Sequence, residues 1–280
     1  MLLSIGLLLL AMVSIQFGAT QAKQLFHELS PAVITMIRTA LATGFMFAVF
    51  RPWRTPLSRS AWGRVAVYGI TLGVMNLVFY FALQRIPLGV AVALEFVGPL
   101  GVALYGTRRW VDLIWVVLAG VGIYMLVPWS GVTTGLDPLG VLLALGAGFC
   151  WGCYIIFGKR IGTDVTSGQA SAFGMMFAAL TVLPFGAFAF ESSVMTPRLW
   201  LLGAMVALLS SAIPYALEMI VMRRMNARTF GILMSIEPAL ATLMGLIFLH
   251  ESLDGFQTLA LVAIISACLG SSLTAPKMKA

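Results

Sequence analysis

The chain is dominated by apolar segments about twenty residues long, the length at which an α-helix crosses the hydrocarbon core of a bilayer. Of its 280 residues, 60% are hydrophobic and only 10% are charged, whereas roughly 25% are charged in a soluble domain. Ten such segments are found. They cover residues 3–22, 31–50, 62–84, 87–107, 111–128, 138–158, 168–190, 198–222, 228–249 and 255–274. The sequence therefore predicts an all-α membrane protein with ten transmembrane helices.

The positions of the basic residues predict how these helices are oriented. The first segment lacks the basic start of a signal peptide, so we interpret it as a span. If the N-terminus is cytoplasmic, 13 of the 17 basic residues fall in cytoplasmic loops and the C-terminal tail. Three others, Lys23, Arg85 and Arg198, fall outside, and Arg38 lies within a span. This bias predicts that both termini are cytoplasmic, and the net charge of +7 gives no reason to expect a nucleic-acid ligand.

A weak internal repeat divides the chain into two halves. The stretch RIPLGVAVALEFVGPLGVAL at 85–104 aligns without a gap with RMNARTFGILMSIEPALATL at 224–243, and Pro99 pairs with Pro238. We predict a first repeat at residues 1–134 and a second at 135–280, each with five spans. Because five is odd, the second repeat is inverted relative to the first. Inverted repeats around a central midplane cavity are typical of secondary transporters.

Four ionisable residues lie within the predicted spans, where each costs about 2.5–3.5 kcal/mol on insertion scales and usually faces the protein interior. They are Arg38, Glu95, Glu218 and Glu237. Arg38 and Glu95 both lie on the order of 11–12 Å below the outer surface. They either form an ion pair that joins two helices, or one of them meets a charged group of the cargo. Glu218 lies near the cytoplasmic end of its span, where it could act as a gate or could simply extend its side chain to the membrane surface.

Three prolines are expected to bend spans near these acids. A proline has no N–H, so the carbonyl four residues earlier loses its helical partner. For Pro99 that carbonyl belongs to Glu95, and for Pro238 it belongs to Met234. Pro214 is expected to kink the eighth span. Bent helices supply polar backbone groups to transporter sites, although they also occur simply to improve packing.

Polar and aromatic side chains at helical spacing could complete a pocket. Asn76 and Tyr80 are four residues apart on one face, and Trp151 and Tyr154 are three apart on another. Together with Tyr215 and the carboxylates, they would suit a small zwitterion with a partly apolar side chain. The alternative is that these aromatic side chains only pack or face lipid.

The chain carries none of the motifs of a membrane enzyme or an ATP-driven pump. HExxH, Walker A and GxSxG patterns are absent, and His27 and His250 lie near span ends, far apart in sequence. The CxxC spacing of Cys150 and Cys153 lies inside an apolar run and is interpreted as packing. We therefore predict no catalytic residue, no metal site, no cofactor and no enzymatic activity.

Several stretches resemble the bacterial threonine/homoserine exporters, in the EamA-type branch of the drug/metabolite transporter superfamily. They are residues 87–104, 108–120, 215–222 and 228–251, with RTFG and the Glu237-Pro238 pair as the most specific matches. The resemblance implies ten helices in two inverted five-helix repeats around a central cavity. It also implies export of amino acids, threonine- or homoserine-like or aromatic, and of related metabolites, across the bacterial inner membrane.

These observations give one expected mechanism, alternating access around the midplane cavity, with the following roles. Substrate-binding residues are expected to be Glu95, Glu237, Asn76, Tyr80, Trp151, Tyr154, Tyr215 and Arg38, and gating or helix-bending residues are Pro99, Pro238, Pro214 and Glu218. The expected partners are an amino acid or related small molecule and the lipid bilayer. Export is either coupled to protons through one of the buried carboxylates or driven by the gradient of the cargo alone, and a monomer is one of the oligomeric states that the sequence allows. The alternatives are an exporter of other small metabolites or drug-like cations, and a non-transporting membrane enzyme or structural subunit.

Overall fold

The computed structural model describes residues 2–104, 110–126, 136–162, 164–191, 196–222, 234 and 236–274, and within these ranges the chain is helical with no strand. The first half contains six helices. They are α1 (Leu2–Gln24), α2 (Pro31–Phe50), α3 (Arg59–Leu83), α4 (Leu88–Glu95), α5 (Val97–Leu104) and α6 (Trp110–Leu126). Short 3₁₀ turns follow α1 at Leu25–His27 and α2 at Pro52–Arg54.

The second half contains six further helices and one π-helical segment. They are α7 (Pro138–Lys159), α8 (Ser167–Phe188), α9 (Pro197–Ala207), the π segment (Leu208–Ala212), α10 (Ile213–Met222), α11 (Glu237–Phe248) and α12 (Gly255–Thr274). The π segment joins α9 to α10, so that the eighth predicted span is one helix with a local widening. Proline occupies the first turn of α2, α7, α9 and α11, where a missing N–H costs no hydrogen bond.

Side chains fix where several helices begin. Ser30, Ser58 and Thr196 each accept a hydrogen bond from the backbone N–H three residues on, at the starts of α2, α3 and α9. At the start of α8, Thr166 and Gln169 form a capping box. Such caps satisfy N–H groups that have no partner within the helix. At these four helix starts, a polar side chain thus marks the edge of an apolar run.

Six helices in the described ranges are long and apolar enough to cross a membrane. They are Leu3–His27, Pro31–Phe50, Arg59–Leu83, Pro138–Lys159, Ser167–Phe188 and Pro197–Tyr215. Shorter apolar helices cover Leu88–Val102, Leu113–Met125, Glu237–Phe248 and Gly255–Gly270. The fourth predicted span is divided at Phe96; all of α4 before this point is buried, whereas Val97, Gly98 and Pro99 at the start of α5 are only partly buried. Most of the N-terminal part of the ninth predicted span lies outside the described residues.

Helices pack in pairs that link the two halves of the chain. Helix α2 packs on α8, α4 on α11, and α6 on α12. Helix α7 of the second half packs on α3, α4 and α5, while α1 of the first half packs on α9, the π segment, α10 and α11. All eight residues of α4 are buried, so α4 lies in the interior of the molecule. Large apolar side chains on α6 and α12 are exposed instead, as expected of helices that face lipid.

Candidate functional site

Glu95 lies at the C-terminal end of α4, where the fourth span is interrupted. Pro99 has no N–H to offer the Glu95 carbonyl, and the next helix begins at Val97. Helix α7 approaches this interruption closely, because a Cβ on Gly148 would lie 2.6 Å from the Glu95 carbonyl oxygen, and one on Gly98 would collide with the Gly148 carbonyl. The bend expected at Pro99 therefore lies beside α7, with the Glu95 side chain only 8% exposed.

Glu237 is the first residue of α11 and is directly followed by Pro238. Its side chain is 5% exposed. The Gln16 Nε2 of α1 donates a hydrogen bond to Glu237 Oε1 at 3.1 Å, and the buried Oε2 has no hydrogen-bond partner in the described part of the chain. A helix N-terminus favours a negative charge. One oxygen of the carboxylate is thus held in place and the other is left for a further donor.

Arg38 is held by uncharged groups from two other helices. Its Nη1 lies 3.3 Å from Ser210 Oγ, 3.0 Å from Ser211 Oγ and 3.4 Å from the Ser210 carbonyl oxygen. Its Nη2 donates to Asn76 Oδ1, and its guanidinium carbon lies 4.7 Å from the centre of the Tyr80 ring. The side chain is 3% exposed and its Nε has no hydrogen-bond partner.

The π segment explains why a backbone carbonyl is free to accept from Arg38. Within it, the Ile213 N–H donates to the Leu208 carbonyl, one residue further back than in an α-helix. Pro214 has no N–H for the carbonyl of Ser210, four residues earlier. That carbonyl accepts from Arg38 instead, and Ser14 Oγ of α1 donates to the neighbouring Leu209 carbonyl at 2.7 Å. The kink expected at Pro214 therefore creates an acceptor for the buried guanidinium.

The ion pair considered for Arg38 and Glu95 is not among the salt bridges of the described residues. Glu95 nevertheless lies within electrostatic range of Glu237 and Arg38. Helix α1 connects those two, because Gln16 contacts Glu237 and Ser14 contacts Leu209, which is next to the Ser210 that holds Arg38. In the described part of the chain, neither carboxylate has a cation within 4.0 Å, and Arg38 has no carboxylate within that distance. A buried cation and two buried carboxylates thus lie near each other without neutralising each other directly.

The three aromatic residues expected at the site each pack against a different partner. Trp151 packs edge to face on Phe96, with ring centres 5.3 Å apart, and so lies beside the interruption after Glu95. Tyr154 stacks on Tyr68 with ring centres 4.6 Å apart, and the two hydroxyls are 2.7 Å apart. Tyr215 packs against the cluster that includes Met46, Leu72 and Met175. The side chain of Glu218 lies outside the described residues.

Both halves of the chain match a known family. Residues 2–127 and 138–273 each match the EamA-like transporter family. The chain belongs to the EamA-like transporter family. It is 48% identical over 273 residues to the threonine/homoserine exporter RhtA of Salmonella typhimurium, across 97% of this chain and 92% of that protein. It is also 48% identical over 276 residues to RhtA of Escherichia coli K12, across 98% of this chain and 93% of that protein.

A solved crystal structure has the same fold as this EamA-like chain. The two superpose with a TM-score of 0.65 at 22% identity, over 96% of this chain and 97% of the other. The matches to the family model and to the RhtA proteins confirm the predicted family, and this EamA-like protein is a multi-pass membrane transporter rather than an enzyme. In the described part of the chain, no three His, Cys, Asp or Glu side chains are grouped as metal ligands.

Sequence reasoning did not assign a role at the site of this EamA-like transporter to Gln16, Ser210 or Ser211. Each was visible only as a polar residue within a span, and its partner lies 172 to 221 residues away in the chain. A signal was present for Ser210, because it precedes Pro214 by four residues and its carbonyl must find another donor. No comparable local signal exists for Gln16.

Proposed function

We propose that this protein exports threonine, homoserine and related amino acids across the bacterial inner membrane by alternating access. The observation that carries the proposal is a buried cation, Arg38, and two buried acids, Glu95 and Glu237, with no ion pair joining the cation to either acid in the described residues. Buried charges are stable only when paired and hydrogen-bonded. A zwitterionic amino acid supplies the missing partner to both signs at once. The 48% identity to exporters named for threonine and homoserine supports this cargo.

In this proposal, the two charged groups of the cargo bind to opposite sides of the site. The α-carboxylate meets the Arg38 guanidinium, whose planar donors suit two oxygens. The α-ammonium meets Glu95 and the unpartnered Oε2 of Glu237. Side chains that shape the rest of the pocket are Asn76, Tyr80, Trp151, Tyr154 and Tyr215. Tyr154 acts through its stack with Tyr68, and Asn76 through its bond to Arg38.

The proposed architecture is ten spans in two inverted repeats, residues 1–134 and 135–280. Support comes from the packing, because exchanging the two halves maps several helix contacts onto others. The pairs α2–α8 and α6–α12 map onto themselves, and the contact of α7 with α5, which contains Pro99, maps onto that of α1 with α11, which contains Pro238. Rocking of one half against the other would then expose the site to each side alternately, with bends at Pro99, Pro214 and Pro238 and a gate at Glu218.

Both termini are proposed to be cytoplasmic, from the bias of basic residues. A reporter that is active only in the cytoplasm should therefore be active when fused after Ala280, and its periplasmic counterpart should be inactive. The opposite result would reverse the orientation and leave the cargo assignment untouched.

Counterflow in proteoliposomes tests the cargo. Vesicles containing the purified protein and loaded with unlabelled threonine should accumulate labelled threonine, and excess homoserine should compete. Competition by aromatic amino acids would extend the range of cargo. Accumulation of a lipophilic cation with no exchange of threonine would contradict the proposal and favour a drug exporter, although the buried Arg38 would repel such a cargo.

Proton coupling is tested by replacing Glu95 with glutamine. A carboxyl group that carries a proton should make export respond to a pH gradient, and Glu95→Gln should remove most of that response from the flux that remains after its contact with the cargo ammonium is lost. Flux is measured with and without an imposed gradient, in the wild type and the variant. A variant whose flux responds to the gradient as the wild type does would show that Glu95 carries no coupled proton.

A further inference from the structure

Gln16 makes the only recorded hydrogen bond to Glu237 among the described residues, and it does so across the interface between the two halves. The glutamine lies in the middle of α1 and is 4% exposed. Because Nε2 holds Oε1 at 3.1 Å, the carboxylate plane is restrained and the direction of the unpartnered Oε2 is restrained with it.

We propose that Gln16 is a positioning residue that aims Glu237 at the ammonium group of the cargo. The inference rests on the proposed function. Gln16 has no charge with which to bind an ammonium, but it keeps an acceptor oxygen in the one orientation that the cargo meets. A preorganised acceptor binds more tightly than one that must first be oriented, because the ordering entropy is already lost. Gln16 thereby acts on affinity through Glu237.

A double-mutant cycle in proteoliposomes tests this role. Gln16→Met keeps the length of the side chain and removes the donor, so KM for threonine should rise about ten- to hundred-fold, as expected for a lost hydrogen bond to a charged group, while the maximal rate changes little. In the Glu237→Gln background, the same substitution should change KM by less than about two-fold, because residues that act as a unit are not additive.

Ser14→Ala is the matched control. Ser14 is on the same helix and donates to the Leu209 carbonyl rather than to Glu237, so whatever effect it has should be equal in both backgrounds. An equal effect of Gln16→Met in both backgrounds would overturn the proposal and make Gln16 merely structural. If wild-type vesicles fail to exchange threonine at all, the cargo assignment fails instead, which separates the two outcomes.

A second, independent observation is an ionic network at one end of the same helices. Lys23 Nζ, in the last turn of α1, lies 2.7 Å from Glu251 Oε1 and donates to the Ile86 carbonyl at 2.6 Å. The Leu88 N–H, at the start of α4, donates to Glu251 Oε2 at 2.8 Å. Glu251 follows α11 in the chain. The ends of α1, α4 and α11 are thus joined through two largely buried side chains, which are 18% and 14% exposed.

This network lies along the helices that carry the candidate site. Lys23 follows Gln16 by seven residues on α1, and Leu88 precedes Glu95 by seven on α4. Seven residues are close to two helical turns, about 10 Å along the axis. The Lys23 ammonium lies at the C-terminus of α1, and the Glu251 carboxylate lies at the N-terminus of α4. Both placements suit the helix dipoles. Along α1 and α4, the network is therefore about 10 Å from Gln16, the partner of Glu237, and from Glu95.

We infer that Lys23 and Glu251 form a latch that closes the outer side of the cavity and must open for cargo to leave. This rests on the proposed alternating access and on the predicted orientation, which places the end of α1 outside. While the latch is closed, the ends of α1, α4 and α11 are held together over the site. Release outward requires at least one of these ends to separate from the others.

Reversible cross-linking tests the latch. Lys23→Cys and Glu251→Cys are combined with replacement of the three native cysteines by alanine, and a bis-methanethiosulfonate reagent spans the two thiols. Outward threonine flux should fall at least ten-fold and should return when dithiothreitol releases the reagent. Complete cross-linking with unchanged flux would overturn the latch, whereas absent flux in the uncross-linked wild type would defeat the proposed cargo.

Arg85 and Asp137 supply the matched control, since they form another 2.7 Å ion pair that the predicted orientation places on the same side. The hydrogen bond from Arg85 lowers the pKa of the exposed Asp137 carboxyl, so the pair is charged at neutral pH. It joins the connection after α3 to the start of α7 and does not bridge α1, α4 and α11. The same cross-link between Arg85→Cys and Asp137→Cys also joins the two halves but leaves the ends of α1, α4 and α11 free to separate, so it should inhibit flux clearly less than the cross-link between positions 23 and 251. Equal inhibition by the two cross-links would contradict the latch.

Discussion

Replacement of Arg38 by methionine is expected to lower threonine transport, measured as Vmax/KM in proteoliposomes, by at least about 30-fold. Truncating one partner of a buried charge interaction typically costs about 2–5 kcal/mol, and about 1.4 kcal/mol corresponds to ten-fold. Arg38→Lys keeps the charge but not the planar set of donors that reaches Asn76 and both serines, so it should recover only part of the loss.

Arg198 provides the control for this experiment. It is an arginine of the same chain that is largely exposed, with its Nη2 3.7 Å from Glu28 Oε1. Because exposed ion pairs contribute little, Arg198→Met should leave Vmax/KM within about two-fold of the wild type. If Arg38→Met folds, inserts and transports as Arg198→Met does, Arg38 does not bind the cargo carboxylate.

Replacement of Glu237 by glutamine should reduce transport of threonine by a similar factor, at least about 30-fold in Vmax/KM. Its distinguishing feature is selectivity for the ammonium group. A 2-hydroxy acid, which has a hydroxyl where threonine has its ammonium, should compete only weakly against labelled threonine. Its competition should be as weak in the wild type as in a Glu237 variant that retains partial activity. Glu237→Asp keeps the charge and the helix start, and should retain more activity than Glu237→Gln.

The control for Glu237 is Glu28→Gln, which removes the half-exposed carboxylate that pairs with Arg198 at the surface. Its transport should stay close to that of the wild type. Equal sensitivity of amino acids and 2-hydroxy acids to Glu237→Gln would contradict a role in ammonium binding. It would assign Glu237 to holding α1 and α11 together through Gln16.

The positions of the helices could be predicted from sequence because lipid imposes a single requirement. Backbone groups in the bilayer must pair within their own segment, so an apolar run of about twenty residues has few alternatives to a helix. The break after Glu95 could also be predicted, because Pro99 has no N–H to donate to the Glu95 carbonyl. The family followed from the stretches around Glu95 and the Glu237-Pro238 pair, and the match of both halves confirms it.

The contacts of the site could not be predicted in the same way, because they depend on which helices become neighbours. Arg38 and Glu95 share a depth, yet depth does not determine the direction of a side chain around the helix axis. The guanidinium instead meets Asn76 and the two serines of the π segment. Tyr154 was correctly placed on the same helix as Trp151, but its partner Tyr68 is 86 residues away.

The π segment between α9 and α10 acts as a change of phase within one continuous helix. In an α-helix each residue turns the chain by about 100°, so one additional residue in a turn rotates everything beyond it. Helix α9 packs on α2, and α10 packs on α1. Deleting one residue from 208–212 would restore regular α-helix and swing the face of α10 away from α1, without removing any side chain that touches cargo. A single-residue length change at this point would therefore uncouple the two helix faces, while a substitution of the same residue would leave the phase intact.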